Sequence, residues 1–117
     1  MPTYSKQLLS GSSSGKQIEI AGTTSPGTTM HTVVATATSA REVVHLYAAN
    51  SATDARLVTV EFGGTATADQ IVVSIAAQDG ANLIVPGWPL TGTDQIVRAF
   101  GTTTEGVRLG GFVNRIV

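Results

Sequence analysis

Hydrophobic and polar residues alternate along several short segments of the chain, which is the pattern of half-buried β-strands. Val58, Val60 and Phe62 would share one face of such a strand. Thr59 and Glu61 would then lie on the opposite, solvated face. No long segment shows the spacing of an amphipathic helix. We therefore expect antiparallel sheets that have one buried and one solvated side.

Turn-forming residues separate these segments, as expected between successive strands. The predicted strands are residues 17–20, 30–37, 43–50, 56–62, 70–76, 82–85, 95–100 and 107–117. The pattern in 95–100 leaves open which face is buried, and Gly110 and Gly111 indicate a β-bulge or a close backbone approach. Segment 86–89, with the sequence PGWP, is expected to be a stiff loop. The predicted fold class is all-β, an antiparallel β-sandwich or jelly-roll-like barrel of seven or eight short strands.

The first part of the chain differs from the rest. It contains the low-complexity run SGSSSG at 10–15 and a turn signal, SPG, at 25–27. We predict that residues 1–27 form an extended N-terminal arm, whose order depends in part on a neighbouring molecule. Residues 28–117 are predicted to form the β-sandwich domain.

Composition and charge narrow the possible functions. The 117 residues are 42% hydrophobic and only 13% charged, which predicts one domain with a sizeable core. The 17 threonines and 13 glycines are typical of a compact β domain rather than of a disordered chain or a coiled coil. The formal net charge is −1 and the basic residues are scattered, which argues against nucleic acid or a membrane surface as partner. No segment has the pattern of a membrane span or a signal peptide, so we expect a soluble, unprocessed chain.

No motif predicts an active site. The absence of cysteine removes thiolate nucleophiles and cysteine-ligated metal sites. The run GSSSG at 11–15 matches the letters of a nucleophile elbow, but that elbow requires a strand-turn-helix context on an α/β sheet. The same run lacks the spacing of a P-loop, and no spacing singles out a Ser-His-Asp triad. We expect no enzymatic activity and no cofactor.

The candidate metal ligands are also scattered. His31 and His45 lie on different predicted strands, and His45 is interpreted as a partly buried structural histidine. The acidic residues of the predicted turns occur one to a loop and are Asp54, Asp69, Asp79, Asp94 and Glu105. Single carboxylates of this kind are more typical of turn formers than of a calcium site. No metal site is predicted.

Four apolar residues are candidates for contacts between subunits. Trp88, in the stiff loop, has two interpretations: a plug over one end of the sandwich, or an interface anchor that buries a large area at little entropic cost. Tyr4, Leu8 and Leu9 lie on the predicted arm, where docking on another subunit would explain their apolar character. The predicted subunit-interface residues are therefore Tyr4, Leu8, Leu9 and Trp88.

Six segments carry a resemblance to a known class of proteins. They are LLSGS (8–12), TMHT (29–32), LYAAN (46–50), LIVPG (83–87), VRAF (97–100) and GFVNRI (111–116). Together they resemble small virion structural proteins of tailed bacteriophages, β-sandwich proteins encoded among head and tail genes that include head decoration (cement) proteins. The resemblance covers most of the chain and lies in strand and turn patterns, so it implies no catalytic residue.

The resemblance implies a capsid decoration protein that binds the major capsid protein or other virion subunits and stabilises the head shell. It further implies a homo-oligomer, with a trimer as one state, located on the capsid surface of the virion and made in the host cytoplasm. A nearly neutral, rigid domain suits this task, because many copies together give avidity from small contacts. Two alternatives stay open: a neck, tail or fibre-base component, and a carbohydrate-binding module for host attachment with Trp88 as its stacking platform.

Overall fold

The computed structural model describes residues 3–33, 40–91, 95–102 and 106–116. Their nine strands are β1 (Tyr4–Leu8), β2 (Ile18–Glu19), β3 (Thr28–Thr32), β4 (Arg41–Asn50), β5 (Arg56–Phe62), β6 (Gln70–Ile75), β7 (Asp79–Leu90), β8 (Ile96–Gly101) and β9 (Val107–Ile116). A short 3-10 turn, Thr67–Asp69, precedes β6. The all-β prediction is confirmed, with β1 as a strand that the sequence pattern did not indicate.

The strands form two antiparallel sheets. The larger sheet has the order β1-β9-β4-β7, with β2 paired to the same strand β9, and the smaller sheet has the order β3-β8-β5-β6. The pairs are nested along the chain, because β2 pairs with β9, β3 with β8, β4 with β7 and β5 with β6. This is the connectivity of a jelly roll, in which one long hairpin folds over into two facing sheets. The predicted fold class is confirmed.

The core lies between the two sheets and is built from alternating residues. In β4 every second residue from Glu42 to Asn50 is buried. In β8 the buried residues are Val97, Ala99 and Gly101, which settles the face that the sequence pattern left open. Each fully buried Val or Leu side chain contributes about 1.5–3 kcal/mol relative to an exposed one. The facing apolar stripes therefore account for most of the stabilisation.

The predicted arm is extended, but it lies within the sandwich. Strand β1 pairs with the C-terminal half of β9, from Phe112 to Ile116, and β2 pairs with its N-terminal half. Leu9 and Ile20 are buried in the common core. The backbone of Gly11 also donates a hydrogen bond to the carbonyl of Met30 (3.0 Å). Strands β1 and β2 thus complete the larger sheet, and Leu9 and Ile20 contribute to the core that the two sheets share.

Strand β7 runs through segment 86–89, which the sequence analysis expected to be a loop. Pro86 and Pro89 fit there because β7 is an edge strand, where a missing N–H donor costs little. The pairing of β7 with β4 also shifts register at several places, so the two strands stay paired although β7 contains prolines. Trp88 is therefore part of a strand, and the loop prediction for this segment is wrong.

Gly111 marks a close approach of two strands. It has a φ of +153°, and an added Cβ would lie 2.0 Å from the carbonyl oxygen of His45. The pairing of β4 with β9 continues through this position without a register shift. Of the two explanations predicted for this glycine pair, the close backbone approach is the one observed.

Candidate interaction surface

The outward side of the larger sheet carries Tyr4, Leu8 and Leu83, three of the six exposed large hydrophobic residues in the described part of the chain. Residues that are opposite one another in antiparallel strands lie on the same face, so the register defines this surface. We call it the outer face, and its members are Tyr4, Lys6, Leu8, Glu19, Arg41, Val43, His45, Tyr47, Ala49, Leu83, Pro86, Pro89, Arg108, Gly110, Phe112, Asn114 and Ile116. Aromatic and aliphatic side chains make up most of it.

Two stacked rings occupy the centre of the outer face. His45 and Phe112 are stacked with their centroids 4.6 Å apart and their planes 17° from parallel. The Lys6 Nζ lies 4.6 Å from the centroid of the Phe112 ring, in the geometry of a cation–π contact. The Asn114 Nδ2 is 3.5 Å from the His45 Nε2. These contacts on neighbouring strands hold the rings in fixed positions.

Large apolar side chains around this centre are open to solvent. Tyr4 is 69% exposed and Leu8 is 59% exposed, and Leu83 on the opposite edge strand is also exposed. Exposed apolar side chains that share one face are typical of a surface that binds another macromolecule. Of the basic side chains of the outer face, Lys6 lies over the central Phe112 ring, whereas Arg108 lies at one margin and pairs with Glu19 (3.2 Å). The surface therefore combines exposed apolar side chains with a basic group at its centre and another at its margin.

The structure separates the four predicted interface residues. Tyr4 and Leu8 lie on the outer face at the two ends of β1, with Lys6 between them. Leu9 is only 2% exposed and belongs to the core, so its side chain does not reach another subunit from this position. Trp88 is 50% exposed at the β7 edge and contacts Phe62 edge-to-face, with centroids 5.7 Å apart and an interplanar angle of 89°. It covers the open side between the sheets, away from the outer face.

A buried polar network joins the two sheets, and sequence reasoning missed it. The His31 Nε2 and Glu42 Oε1 are 2.5 Å apart, and the two side chains are almost fully buried. The backbone N–H of Ser10 donates to the His31 Nδ1 (3.0 Å). Since Nδ1 accepts this bond, the ring proton is on Nε2 and points to the carboxylate of Glu42. Arg115 Nε approaches the other carboxylate oxygen at 3.4 Å.

The network contains residue types found in catalytic triads, but their geometry is different. Ser10 contacts the His31 ring through its backbone, and its Oγ accepts a hydrogen bond from the N–H of Thr32 (2.7 Å). Both ring nitrogens of His31 are engaged, so this ring is not placed to take a proton from the Ser10 hydroxyl. The network holds the segment after β1 onto the core. One feature of the sequence did point to it, because Glu42 occupies a position that the alternation of β4 places on the buried face.

A second buried carboxylate corrects a prediction about β5. Glu61 was expected on a solvated face, yet it is fully buried. It accepts hydrogen bonds from the Ser25 Oγ (2.5 Å) and from the Gly27 N–H (2.7 Å). The segment before β3 therefore covers this part of the smaller sheet, and the carboxylate fixes it there. The alternation of polar and apolar residues within one strand cannot show that another segment of the chain covers its outer side.

The predicted candidate ligands do not come together. His31 lies in the core while His45 lies on the outer face, and within the described residues no group of three or more His, Asp or Glu side chains could hold a metal. Asp54 pairs with Arg56 (3.1 Å), whereas Asp94 and Glu105 lie outside the described residues. An open, polar cleft of about 570 Å³ lies at one end of the sandwich, lined by residues that include Ser51 and Arg108.

Two further observations bear on the choice of function. Among the described residues, no helix has the length and apolar character needed to cross a membrane. Comparison of the chain with protein-family models, with curated protein sequences and with solved structures finds no match. The function is therefore inferred from the geometry and from the sequence pattern.

Proposed function

We propose that this chain is a structural protein of a tailed-phage virion, a head decoration protein that binds the major capsid protein and stabilises the shell. The observation that carries the proposal is the outer face, a rigid sheet surface with exposed Tyr4 and Leu8 around a stacked aromatic centre. Two further points support it. The sequence segments resemble those of phage virion proteins, and jelly-roll sandwiches occur among viral capsid domains.

The outer face suits attachment to a repeating protein surface. Aromatic side chains held by their neighbours bury much area at little entropic cost, which is how interface anchors work. Lys6 and Arg41 on this face favour a partner surface with carboxylates at the matching positions, because complementary charges select the partner and its register. Many copies on one capsid add avidity to a modest individual contact. The proposed location is the capsid surface, after synthesis in the host cytoplasm.

Co-sedimentation with empty phage heads tests this function. We expect the purified protein to pellet with heads in a fixed ratio to the major capsid protein. Deleting the arm would be a poor test, because it would remove Leu9 from the core. Leu8→Glu instead places a charge on the outer face, and Leu57→Glu is the matched control on the exposed side of the smaller sheet.

The two variants separate the possible outcomes. We expect Leu8→Glu to lose head binding and Leu57→Glu to retain it, with both proteins folded by circular dichroism. Equal binding by both variants would contradict the role of the outer face. If the wild-type protein fractionates with tails rather than heads, the neck, tail or fibre-base alternative replaces the decoration role.

A carbohydrate-binding module for host attachment is the second candidate, and the position of Trp88 favours it. The indole is half exposed and its orientation is held by Phe62. Saccharides stack on aromatic faces that are held in this way. Titration of the Trp88 fluorescence with host polysaccharide would show a saturable change if this function is correct. An unchanged signal would remove it.

A further inference from the structure

The edge strands of the two sheets differ in how they are protected. The larger sheet ends at β1 and β2 on one side and at β7 on the other, and the smaller sheet ends at β3 and β6. An edge strand presents unpaired N–H and C=O groups that can pair with another strand. Natural proteins block such edges with charges, prolines or bulges. An edge without these devices is available for pairing.

Three of these edges are blocked in the described structure. Strand β1 carries Lys6 at its centre. Strand β7 contains Pro86 and Pro89 and shifts register against β4 more than once. Strand β3 has an irregularity between Thr29 and His31. Regular pairing with a further strand is disfavoured at each of these edges.

Strand β6 has none of these devices. Its sequence, QIVVSI, contains no charge, no proline and no glycine, and its pairing with β5 runs without a register shift. No strand of the described residues pairs with its other side. Val72, at the middle of the strand, points outward and is 59% exposed. Uncharged six-residue segments of this type have a strong tendency to pair through their backbones.

We propose that β6 pairs antiparallel with β6 of a second copy of this chain, which joins the two smaller sheets into one continuous sheet. Pairing centred on Val72 places Val72 opposite the partner's Val72 and Gln70 opposite the partner's Ser74, all on the outward side. Ile71 then faces the partner's Val73 on the core side. Each side chain meets one of similar polarity, and no like charges face each other.

This self-complementarity favours a second copy over an unrelated strand. The contact is isologous, so it closes at two copies and leaves the edge of neither molecule open. A trimer would require a different surface. The inference is independent of the proposed capsid function, because it concerns the purified protein alone and uses the sheet opposite the outer face.

Sedimentation equilibrium over a range of protein concentrations tests the dimer. We expect the wild type to fit a monomer–dimer equilibrium. Val72→Lys places two lysines opposite each other at the centre of the contact and should raise the dimer dissociation constant about tenfold or more. Leu83→Lys, the same change in charge at an exposed leucine on the other sheet, should leave it unchanged. A monomeric or trimeric wild type, or equal effects of the two substitutions, would overturn the proposal.

Hydrogen–deuterium exchange of the wild type gives an answer even if a variant fails to fold. Some backbone N–H groups of residues 70–75 point away from β5, toward the proposed partner strand. They should exchange more slowly as the protein concentration rises, because dimerisation gives them hydrogen-bond partners. Amides of β7, at an edge outside the contact, serve as the internal control and should not respond. Exchange of 70–75 that is independent of concentration would overturn the proposal.

Discussion

Leu9 and Leu8 are neighbours in sequence but occupy opposite environments, which gives a direct test of how the N-terminal segment folds. Leu9 is 2% exposed within the core, and Leu8 is 59% exposed on the outer face. Replacing Leu9 with Ala removes buried side-chain volume and leaves a cavity, at a cost of about 2–5 kcal/mol. Replacing Leu8 with Ala should change the free energy of unfolding by less than about 0.5 kcal/mol.

The expected loss is large on the scale of a domain, since total stabilities are about 5–15 kcal/mol. Urea denaturation followed by Trp88 fluorescence measures it. With a slope of about 2 kcal/mol per molar urea, a loss of about 3 kcal/mol moves the midpoint by about 1.5 M. Equal, small shifts for Leu9→Ala and Leu8→Ala would refute the argument, because they would show that residues 3–9 are not part of the folded core.

Two further predictions use the same urea assay on other positions. Glu42→Gln should lower the free energy of unfolding by about 3 kcal/mol, because it removes the negative charge that faces buried His31 and Arg115. A change below about 0.5 kcal/mol would contradict the stabilising role of this network. Gly111→Ala should lower the free energy of unfolding by more than about 2 kcal/mol or prevent folding, because the new Cβ would clash with the carbonyl oxygen of His45. Gly110→Ala should have a much smaller effect, because its Cβ would contact only Gln17. Similar effects of the two substitutions would contradict the close approach of β4 and β9 at Gly111.

The sequence pattern predicted much of the sandwich because strand periodicity reports burial directly. Strand β5 was predicted with its observed bounds, and the buried stripe of β4 follows from alternation alone. The sequence pattern could not predict β1, since its residues become a strand only because β9 offers an open edge. Likewise, Trp88 was expected in a loop, because the tolerance of an edge strand for proline depends on the topology.

The candidate surface was predicted less completely than the fold. Tyr4 and Leu8 were chosen for their apolar character and are both exposed on the outer face, but no local pattern distinguishes Leu8 from the buried Leu9. The stacked centre depends on the register between β4 and β9, which brings together His45 and Phe112, two residues more than half the chain apart. Their pairing is a tertiary property, and no local pattern contains it.

Side-chain footprinting of the protein bound to phage heads tests the central claim most directly. Hydroxyl radicals modify exposed aromatic and aliphatic side chains, so the measurement compares each residue in the free and the head-bound protein. We predict that Tyr4, Leu8 and Phe112 become protected on heads, while Leu57 on the other sheet is modified as in the free protein. Protection of Leu57 without protection of Tyr4 and Leu8, or the absence of any bound protein, would contradict the assignment of the outer face as the capsid-binding surface.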